Sequence, residues 1–418
     1  MSDPGLDVVW RACAPRVLGA LVRRYGHFDA AEDALQEALV AAARQWPAEG
    51  TPDDPKAWLI RVASRRLVDR MRADGARARR EERVERRNPA NALETVGSED
   101  ASLERDDTLA VMLLCCHPFL SRPSQVALTL RAVAGLSTAQ IARSFLVPEA
   151  TMAQRSVRAK ARLEDMADPF GVPAAAEMPA RVAAVSHVLY LVFTEGHTAT
   201  TGSALTSPSL GAEAIRLARE LHRALPGDGE VTGLLALMLL TDARSQARTS
   251  SDGAFVPLAE QDRGRWNRDQ IAEGTALVEA ALPFGSVGPY QLQAAIAAVH
   301  DEAATAEATD WAQIEQLYEM LERIAPGPIV TLNRAVAVAE ACGPRAALEL
   351  IKPLLDDRRL LHTHRLHAAH AHILELAGRT DDARAAYLLA ARQATSIPEQ
   401  RHLHAAARRL EPEWRSPP

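Results

Sequence analysis

Helical periodicity runs through this chain, and no stretch of it alternates apolar and polar residues as a β-strand does. Between residues 27 and 46 an apolar stripe recurs at helical spacing, at Leu35, Leu39, Ala42 and Trp46, and Asp29 can cap the helix that this stripe predicts. Alanine and arginine, both good helix formers, are abundant, whereas aromatic residues make up only 4% of the 418 residues. The sequence therefore predicts an all-α protein, long enough for two to four domains.

A second pattern, over residues 135–163, predicts two short helices that meet at a tight turn. Ser137 followed by Gln140 is a capping box that begins the first helix, and Val147-Pro148 ends it. The second helix has an inward stripe at Met152, Ser156, Ala159 and Leu163. This segment is either a helix-turn-helix that enters the major groove of DNA or an ordinary helical hairpin with a solvated basic face.

Charge is unevenly distributed in a chain whose net charge is −6. Residues 61–87 contain 11 arginines against 5 acidic residues, a local charge of +6, and the second helix of the hairpin adds four more cations. An acidic chain with two basic segments fits a protein that touches DNA locally and does something else elsewhere.

Composition divides the chain into five segments. Residues 1–87 and 108–166 are compact helical domains, separated by a polar, acidic linker at 88–107 and followed by a break at 167–177. Residues 178–418 form a long region rich in alanine and leucine, in which small residues flank Tyr387 at Ala371, Gly378, Ala383 and Ala390. This spacing resembles the tetratricopeptide pattern of paired helices, and a non-repeating helical domain is the alternative.

Several classes of function lack a sequence signal. The four cysteines do not have metal-ligand spacing, and no nucleophile–base pair or phosphate-binding loop is recognisable. The N-terminus lacks the features of a signal peptide, and no apolar run is long enough to span a bilayer. We therefore expect a cytoplasmic protein that is not an enzyme and has no cofactor, metal or membrane partner.

Three segments resemble the sigma-70 family, specifically its extracytoplasmic-function group. They are DAAEDALQE at residues 29–37, the AWLxRxAxxxxxDxxR pattern at 57–72 and VPEAT at 147–151, and they occur in the family's order. Three further segments, at 189–200, 261–274 and 288–300, look like the long C-terminal extension of one subgroup. The resemblance implies two helical domains that bind polymerase and DNA, plus a tetratricopeptide-like array.

The resemblance also implies roles for individual residues. The acidic helix would bind the clamp of the largest subunit of core RNA polymerase, through Glu32, Asp33, Gln36 and Glu37. A plain solvated helix face is the alternative. The arginine-rich helix would meet the −10 promoter element through Arg61, Arg65, Arg66, Asp69, Arg70 and Arg72. Arg65 departs from the family, where asparagine is frequent at this position.

The helix-turn-helix would bind the −35 element through Ala153, Gln154, Arg155, Val157, Arg158, Lys160 and Arg162. Gln154 and Arg158 are the expected base readers, whereas Arg155, Lys160 and Arg162 are expected to hold phosphates. The acidic linker either threads into the RNA path of the polymerase, as in the family, or is a plain tether.

The C-terminal region is expected to modulate the sigma factor that the resemblance implies, by folding back on the DNA-binding parts or by contacting polymerase. Five polar or amphipathic residues in apolar surroundings either line a ligand pocket or cap and fill helices: Glu195, His197, Trp266, Tyr290 and Gln291. The competing hypotheses are a one-component helix-turn-helix regulator with a tetratricopeptide-type sensor and, third, an enzyme with a DNA-binding front. Promoter DNA is an expected partner both of a sigma factor and of a one-component regulator.

Overall fold

The computed structural model describes residues 4–85, 108–145, 147–164, 175–197, 208–250, 254–283, 285, 287–361 and 363–411. Its α-helices, in chain order, are α1 Pro4–Tyr25, α2 Phe28–Glu49, α3 Pro55–Glu85, α4 Thr108–Cys115, α5 Arg122–Ala132, α6 Thr138–Ser144, α7 Glu149–Glu164, α8 Met178–His197, α9 Pro208–Ala224, α10 Gly229–Asp242, α11 Arg268–Ala281, α12 Pro289–Glu302, α13 Trp311–Ile324, α14 Pro328–Cys342, α15 Pro344–Ile351, α16 His364–Leu376, α17 Thr380–Gln393 and α18 Ile397–Arg409.

The predicted all-α class is confirmed. The residues that the structure describes contain no β-strand, and Thr249 and Phe255 form an isolated bridge. The chain divides into two compact units, residues 1–188 and 189–418, and the division falls inside α8. The linker expected at residues 88–107 lies outside the described residues, as does most of the break expected at 167–177.

Helices α1, α2 and α3 pack around one apolar core. Leu18, Phe28, Leu35 and Leu67 are almost completely buried there, and each such side chain contributes roughly 1.5–3 kcal/mol by leaving water. Helix α2 begins at Phe28 after an uncapped His27, so the expectation that Asp29 caps this helix is wrong. Asp29 instead lies in the first turn, where a negative charge complements the helix dipole.

The helix-turn-helix consists of α6 and α7, and it packs on α5. Its capping box is confirmed, because the Ser137 N–H donates to Gln140 Oε1 at 2.8 Å and the Gln140 N–H donates to Ser137 Oγ at 3.2 Å. The inward stripe of α7 is confirmed as well, since all four of its predicted members are buried: Met152, Ser156, Ala159 and Leu163. The opposite side of α7 is exposed.

The second unit, from α9 to α18, is built of successive helices that pack on their neighbours. Asp228 caps α10 by accepting from the N–H groups of Glu230 and Val231, both at 3.0 Å. In the pair α16–α17, Ala371, Ala383 and Ala390 are fully buried, as their small size predicts for helices in close contact. Gly378 makes the turn between these two helices with a φ of 73°, a value that favours glycine.

Candidate nucleic-acid interface

The acidic face of α2 is formed by Asp33, Gln36 and Glu37. Asp33 is exposed, and Gln36 and Glu37 are partly exposed. Their i, i+3 and i+4 spacing aligns them along one side of the helix. Glu32 does not share this face. Its side chain is only 2% exposed, because a step of one residue turns the helix by about 100° and points Glu32 toward α7.

Two of the predicted DNA-binding arginines on α3 are paired with this acidic face. Arg66 Nη1 lies 2.9 Å from Glu37 Oε2, while Arg70 contacts Asp33 Oδ2 at 2.7 Å and Glu37 Oε1 at 3.0 Å. The sequence alone predicted that the acidic residues bind polymerase and that the arginines bind the −10 element. All four side chains are 39–49% exposed, so each pair contributes roughly 0–1 kcal/mol and is easily exchanged for another partner.

The remaining predicted −10 residues on α3 are Arg61, Arg65, Asp69 and Arg72, and all four are exposed. None of them makes an ion pair or a hydrogen bond with another residue in the described parts of the chain. Three uncommitted guanidinium groups along one helix are a suitable set of phosphate contacts, because each carries a permanent charge and several donors.

The outward side of α7 carries Ala153, Gln154, Val157 and Arg158, and all four are exposed as predicted. Val157 is 65% exposed. An exposed apolar side chain beside a glutamine and an arginine matches the chemistry of a major groove, which offers thymine methyl groups as well as polar base edges.

The predicted phosphate contacts of α7 differ in their availability. Arg155 is partly exposed, and Arg162 is exposed while donating to the Phe119 carbonyl at 3.1 Å. Lys160 is only 13% exposed, and its Nζ lies 2.6 Å from Asp29 Oδ1 and 2.6 Å from Glu32 Oε2. Burial alone would lower the pKa of Lys160, but the Glu32 and Asp29 carboxylates raise that pKa above its ordinary value.

Arg131 on α5 completes this contact. Its Nε donates to Glu32 Oε1 at 2.5 Å, and its Nη1 donates to Thr138 Oγ1 at 3.1 Å. The buried Glu32 therefore has two cationic partners that follow it by 99 and 128 residues in the chain. Sequence reasoning missed Arg131, although a single charge within the apolar run ALTLRAVAGL was a usable signal.

Three of the five C-terminal residues predicted to bind a ligand or to serve packing, Trp266, Tyr290 and Gln291, make contacts within the second unit. Gln291 Oε1 accepts from the Gly288 N–H at 3.2 Å, and the N–H groups of Tyr290 and Gln291 donate to the Glu230 carboxylate. Trp266 is buried, and the central guanidinium carbon of Arg263 lies 4.5 Å from the centre of the Trp266 ring. Contacts of this kind build helix ends and core.

His197 and Glu195 lie near the end of α8. The His197 ring stacks on Phe193 with 5.3 Å between centroids. Burial, with smaller effects of Arg248 and Arg244, lowers the pKa of His197 to about 2, so the ring stays neutral. Glu195 is partly exposed. Their role in ligand binding stays a prediction.

A cavity of about 630 Å³ in the second unit is lined by none of these five residues. Its wall includes Phe255, Leu332, Arg365, Tyr387 and Leu403. Gln291 lines a smaller cavity of about 130 Å³. Across the described ranges there is no cluster of side chains arranged to hold a metal ion, and no helix is both long and apolar enough to cross a membrane.

Comparison with known proteins bears on both halves of the first unit. Residues 9–77 match Sigma-70 region 2, and residues 110–163 match Sigma-70 region 4. The chain belongs to the sigma-70 family. Residues 181–282 match a family of unknown function (DUF6596), so the chain has an extension C-terminal to both sigma-70 regions.

Two known proteins are similar to the chain, and the second of them supports a sigma factor of the extracytoplasmic-function type with a C-terminal extension. An uncharacterized protein of Rhizobium meliloti is 42% identical over 96% of this chain and 95% of its own length. The probable ECF RNA polymerase sigma factor SigI of Mycobacterium tuberculosis is 28% identical over 165 residues, which are 39% of this chain and 55% of SigI. No solved structure shows significant similarity to the chain.

These matches locate the surfaces described above. The acidic face of α2 and the exposed arginines of α3 lie within sigma-70 region 2, and the outward side of α7 lies within region 4. The contact of Glu32 with Arg131 and Lys160 consequently joins region 2 to region 4.

Proposed function

We propose that this chain directs core RNA polymerase to specific promoters, and that its C-terminal extension modulates this activity. One observation carries the proposal: the two sigma-70 regions occur in order, and each presents an exposed surface of suitable chemistry. Region 2 offers an acidic face with arginines beside it, and region 4 offers the outward side of a helix-turn-helix.

Asp33, Gln36 and Glu37 are the proposed contacts to the clamp of the polymerase's largest subunit. In the free chain Asp33 and Glu37 are engaged by Arg66 and Arg70. Docking would exchange these exposed internal pairs for pairs across an interface. The two arginines are thereby released at the place where promoter DNA is proposed to arrive.

The proposed −10 contacts are the exposed side chains Arg61, Arg65 and Arg72, together with Asp69 and the released Arg66 and Arg70. The positive charge of the arginines offsets phosphate repulsion as the strands separate. At the −35 element, Gln154 and Arg158 are proposed to hydrogen-bond with base edges, and Ala153 and Val157 to contact thymine methyl groups. Arg155, Arg162 and Lys160 are proposed to hold the phosphates, with Glu32 as a further polymerase contact.

Reconstituted transcription tests the proposal. The full-length chain is added to purified core polymerase and fragments of its own genome, and RNA start sites are mapped. We expect starts at a limited set of promoters only when the chain is present. Transcription that is the same with and without the chain contradicts the proposal.

The alternative is a one-component helix-turn-helix regulator that binds DNA without replacing the polymerase's own sigma factor. The match to region 2 favours the sigma factor, because such a regulator has no need of a polymerase-binding helix. Co-elution with core polymerase that lacks any other sigma factor distinguishes the two. A sigma factor is a dissociable polymerase subunit, so we place the chain in the cytoplasm and assign it no catalytic activity of its own.

A further inference from the structure

Four charged side chains from the two sigma-70 regions meet on the first turns of α2. Glu32 is at the centre, 2% exposed, with Arg131 at 2.5 Å and Lys160 at 2.6 Å. Asp29, which is 48% exposed, holds Lys160 from the outer side at 2.6 Å. Three hydrogen-bonded or ion-paired contacts therefore connect one helix of region 2 with two helices of region 4.

This arrangement is too buried to be an ordinary surface ion pair. A carboxylate that loses nearly all its contact with water is stable only when cations replace that water, and Glu32 has two of them. Lys160 is also largely buried, because it lies between two carboxylates. The sequence brings these groups together only through the fold, since Glu32 and Lys160 are 128 residues apart.

The contact buries parts of two surfaces that are also proposed to bind polymerase and DNA. Asp29 and Glu32 lie on α2, the helix proposed to bind core polymerase. Lys160 lies on α7, the helix proposed to enter the major groove, where it would hold a phosphate. Lys160 is only 13% exposed and its Nζ is held against α2 by two carboxylates, so it reaches a phosphate in the major groove only after these ion pairs open.

We propose that Asp29, Glu32, Arg131 and Lys160 form a latch that holds region 4 on region 2 in the free chain, and that core polymerase and promoter DNA must displace it. The inference rests on the proposed function and deepens it. The acidic end of α2 is an interaction surface with two successive occupants, first the chain's own region 4 and then polymerase.

Opening the latch leaves no charged group buried without an opposite charge or water. Lys160 leaves its carboxylates for a phosphate and Arg131 leaves Glu32 for water, while Glu32 leaves two cations for the cationic groups of a partner. Because each charge finds an opposite charge or solvent in both states, the two states can lie close in free energy. A ligand that binds only the open state then shifts the population toward it.

Zero-length cross-linking tests whether the free chain is latched. A carbodiimide condenses an ammonium and a carboxylate in direct contact into an amide, and itself takes up the water. The chain has only three lysines, Lys56, Lys160 and Lys352, so cross-linked peptides are easily assigned. We expect an amide from Lys160 to Asp29 or Glu32 in the full-length free chain, and at least a fivefold loss of it with excess core polymerase.

A double variant tests whether the latch limits activity. Asp29→Asn with Arg131→Gln weakens the latch but changes neither a proposed polymerase contact nor a proposed DNA contact. We expect at least a fivefold tighter Kd for core polymerase and more transcript at limiting chain concentration. The matched control is Asp53→Asn with Arg358→Gln, since both residues are exposed and neither makes a hydrogen bond or ion pair within the described residues. The control should behave as wild type.

Each failure has a distinct meaning. Absence of the Lys160 cross-link in the free wild-type chain overturns the latch, whatever the activity. A folded double variant with wild-type Kd and wild-type transcript overturns it as well, because the contact then limits nothing. Circular dichroism confirms folding of the variant. A wild-type chain that forms the cross-link but never binds core polymerase overturns the proposed function instead.

Discussion

At the scale of single residues, Arg158 is the sharpest test of sequence reading by α7. It is exposed and lies on the same side of the helix as Gln154. We predict that Arg158→Ala lowers transcription from the cognate −35 element by roughly 10- to 100-fold, since one bidentate base contact is worth about 1–3 kcal/mol. The measurement compares transcription by wild type and variant from promoter fragments with the cognate −35 element and from fragments with a substituted one.

Arg162→Ala is the control for Arg158→Ala, because Arg162 is assigned to a phosphate. This variant should weaken binding to every DNA sequence similarly and should reduce the dependence of log Kd on log salt concentration. If Arg158→Ala gives the same uniform loss, Arg158 holds a phosphate and does not read a base.

The acidic face of α2 can be separated from its arginine partners. We predict that Asp33→Lys with Glu37→Lys abolishes measurable binding to core polymerase in the absence of DNA, because reversed charges repel the partner's cations. Arg66→Gln with Arg70→Gln breaks the same internal ion pairs but leaves the acids in place. This second variant should bind polymerase at least as well as wild type. Equal losses in both variants would mean that the internal pairs matter and the acidic face does not.

His300 in α12 predicts a pH dependence of stability. Burial, followed by Arg244 and Arg263, lowers its pKa to about 3, below the ordinary 6.5. Stability from the neutral ring is present above pH 6.5 and is lost as the pH falls toward 3. At pH 5 the loss is about 2 kcal/mol. The neighbouring Asp301, whose pKa burial raises to about 6, acts in the opposite direction.

Comparing variants isolates the effect of His300 from that of Asp301. The difference in melting temperature between wild type and His300→Gln should shift in favour of the variant as the pH is lowered from 7.5 to 5.0. A constant difference across this range would mean that the pKa of His300 is the same in the folded and the unfolded chain.

Prediction of buried and exposed residues from the sequence succeeded where the geometry of a single helix determines which side chains are buried. The spacing on α7 sufficed to separate the buried Met152 and Leu163 from the exposed Gln154 and Arg158. It failed for Glu32, because the burial of Glu32 depends on its contacts with α5 and α7, which are distant in the sequence. Periodicity describes a helix, whereas burial of a charge depends on its distant neighbours.

At the scale of elements, the close approach of α10 and α12 is controlled by Gly233. A Cβ added there would lie 2.6 Å from the Gln291 backbone nitrogen, which is too close for either helix to accept without moving. We predict that Gly233→Ala destabilises the second unit by about 1–3 kcal/mol. Thermal unfolding measures it. Gly227→Ala is the control, because its Cβ would meet no atom and should leave the melting temperature nearly unchanged.

Helix existence was more predictable than helix ends. The sequence placed α2 at residues 27–46, and the structure has it at Phe28–Glu49. The helix continues through Pro47 and ends at Gly50, whose φ of 88° favours glycine. The apolar stripe fixes the body of the helix, but its first and last turns depend on capping groups, and the predicted cap, Asp29, is engaged by Lys160 instead.

At the scale of the whole molecule, the order of the segments could be predicted. The two sigma-70 matches, at residues 9–77 and 110–163, begin and end inside the segments expected to hold them. The division of the chain was not predictable from composition, because α8 continues through it. Apolar residues recur along the entire helix, and nothing in their spacing marks residue 188.

The position of this division leads to a prediction about the extension. Every residue proposed to contact polymerase or DNA lies in the unit of residues 1–188. We therefore expect a chain ending at Val188 to bind core polymerase within about threefold of the full-length affinity, so that any change in transcription reports modulation by the extension. A chain ending at Pro173 is the comparison, because it also loses Arg181 and His187, which lie near His117 and Arg122. It should melt at a lower temperature than the longer fragment. If the chain ending at Val188 is folded but no longer binds polymerase, the extension itself supplies a polymerase contact.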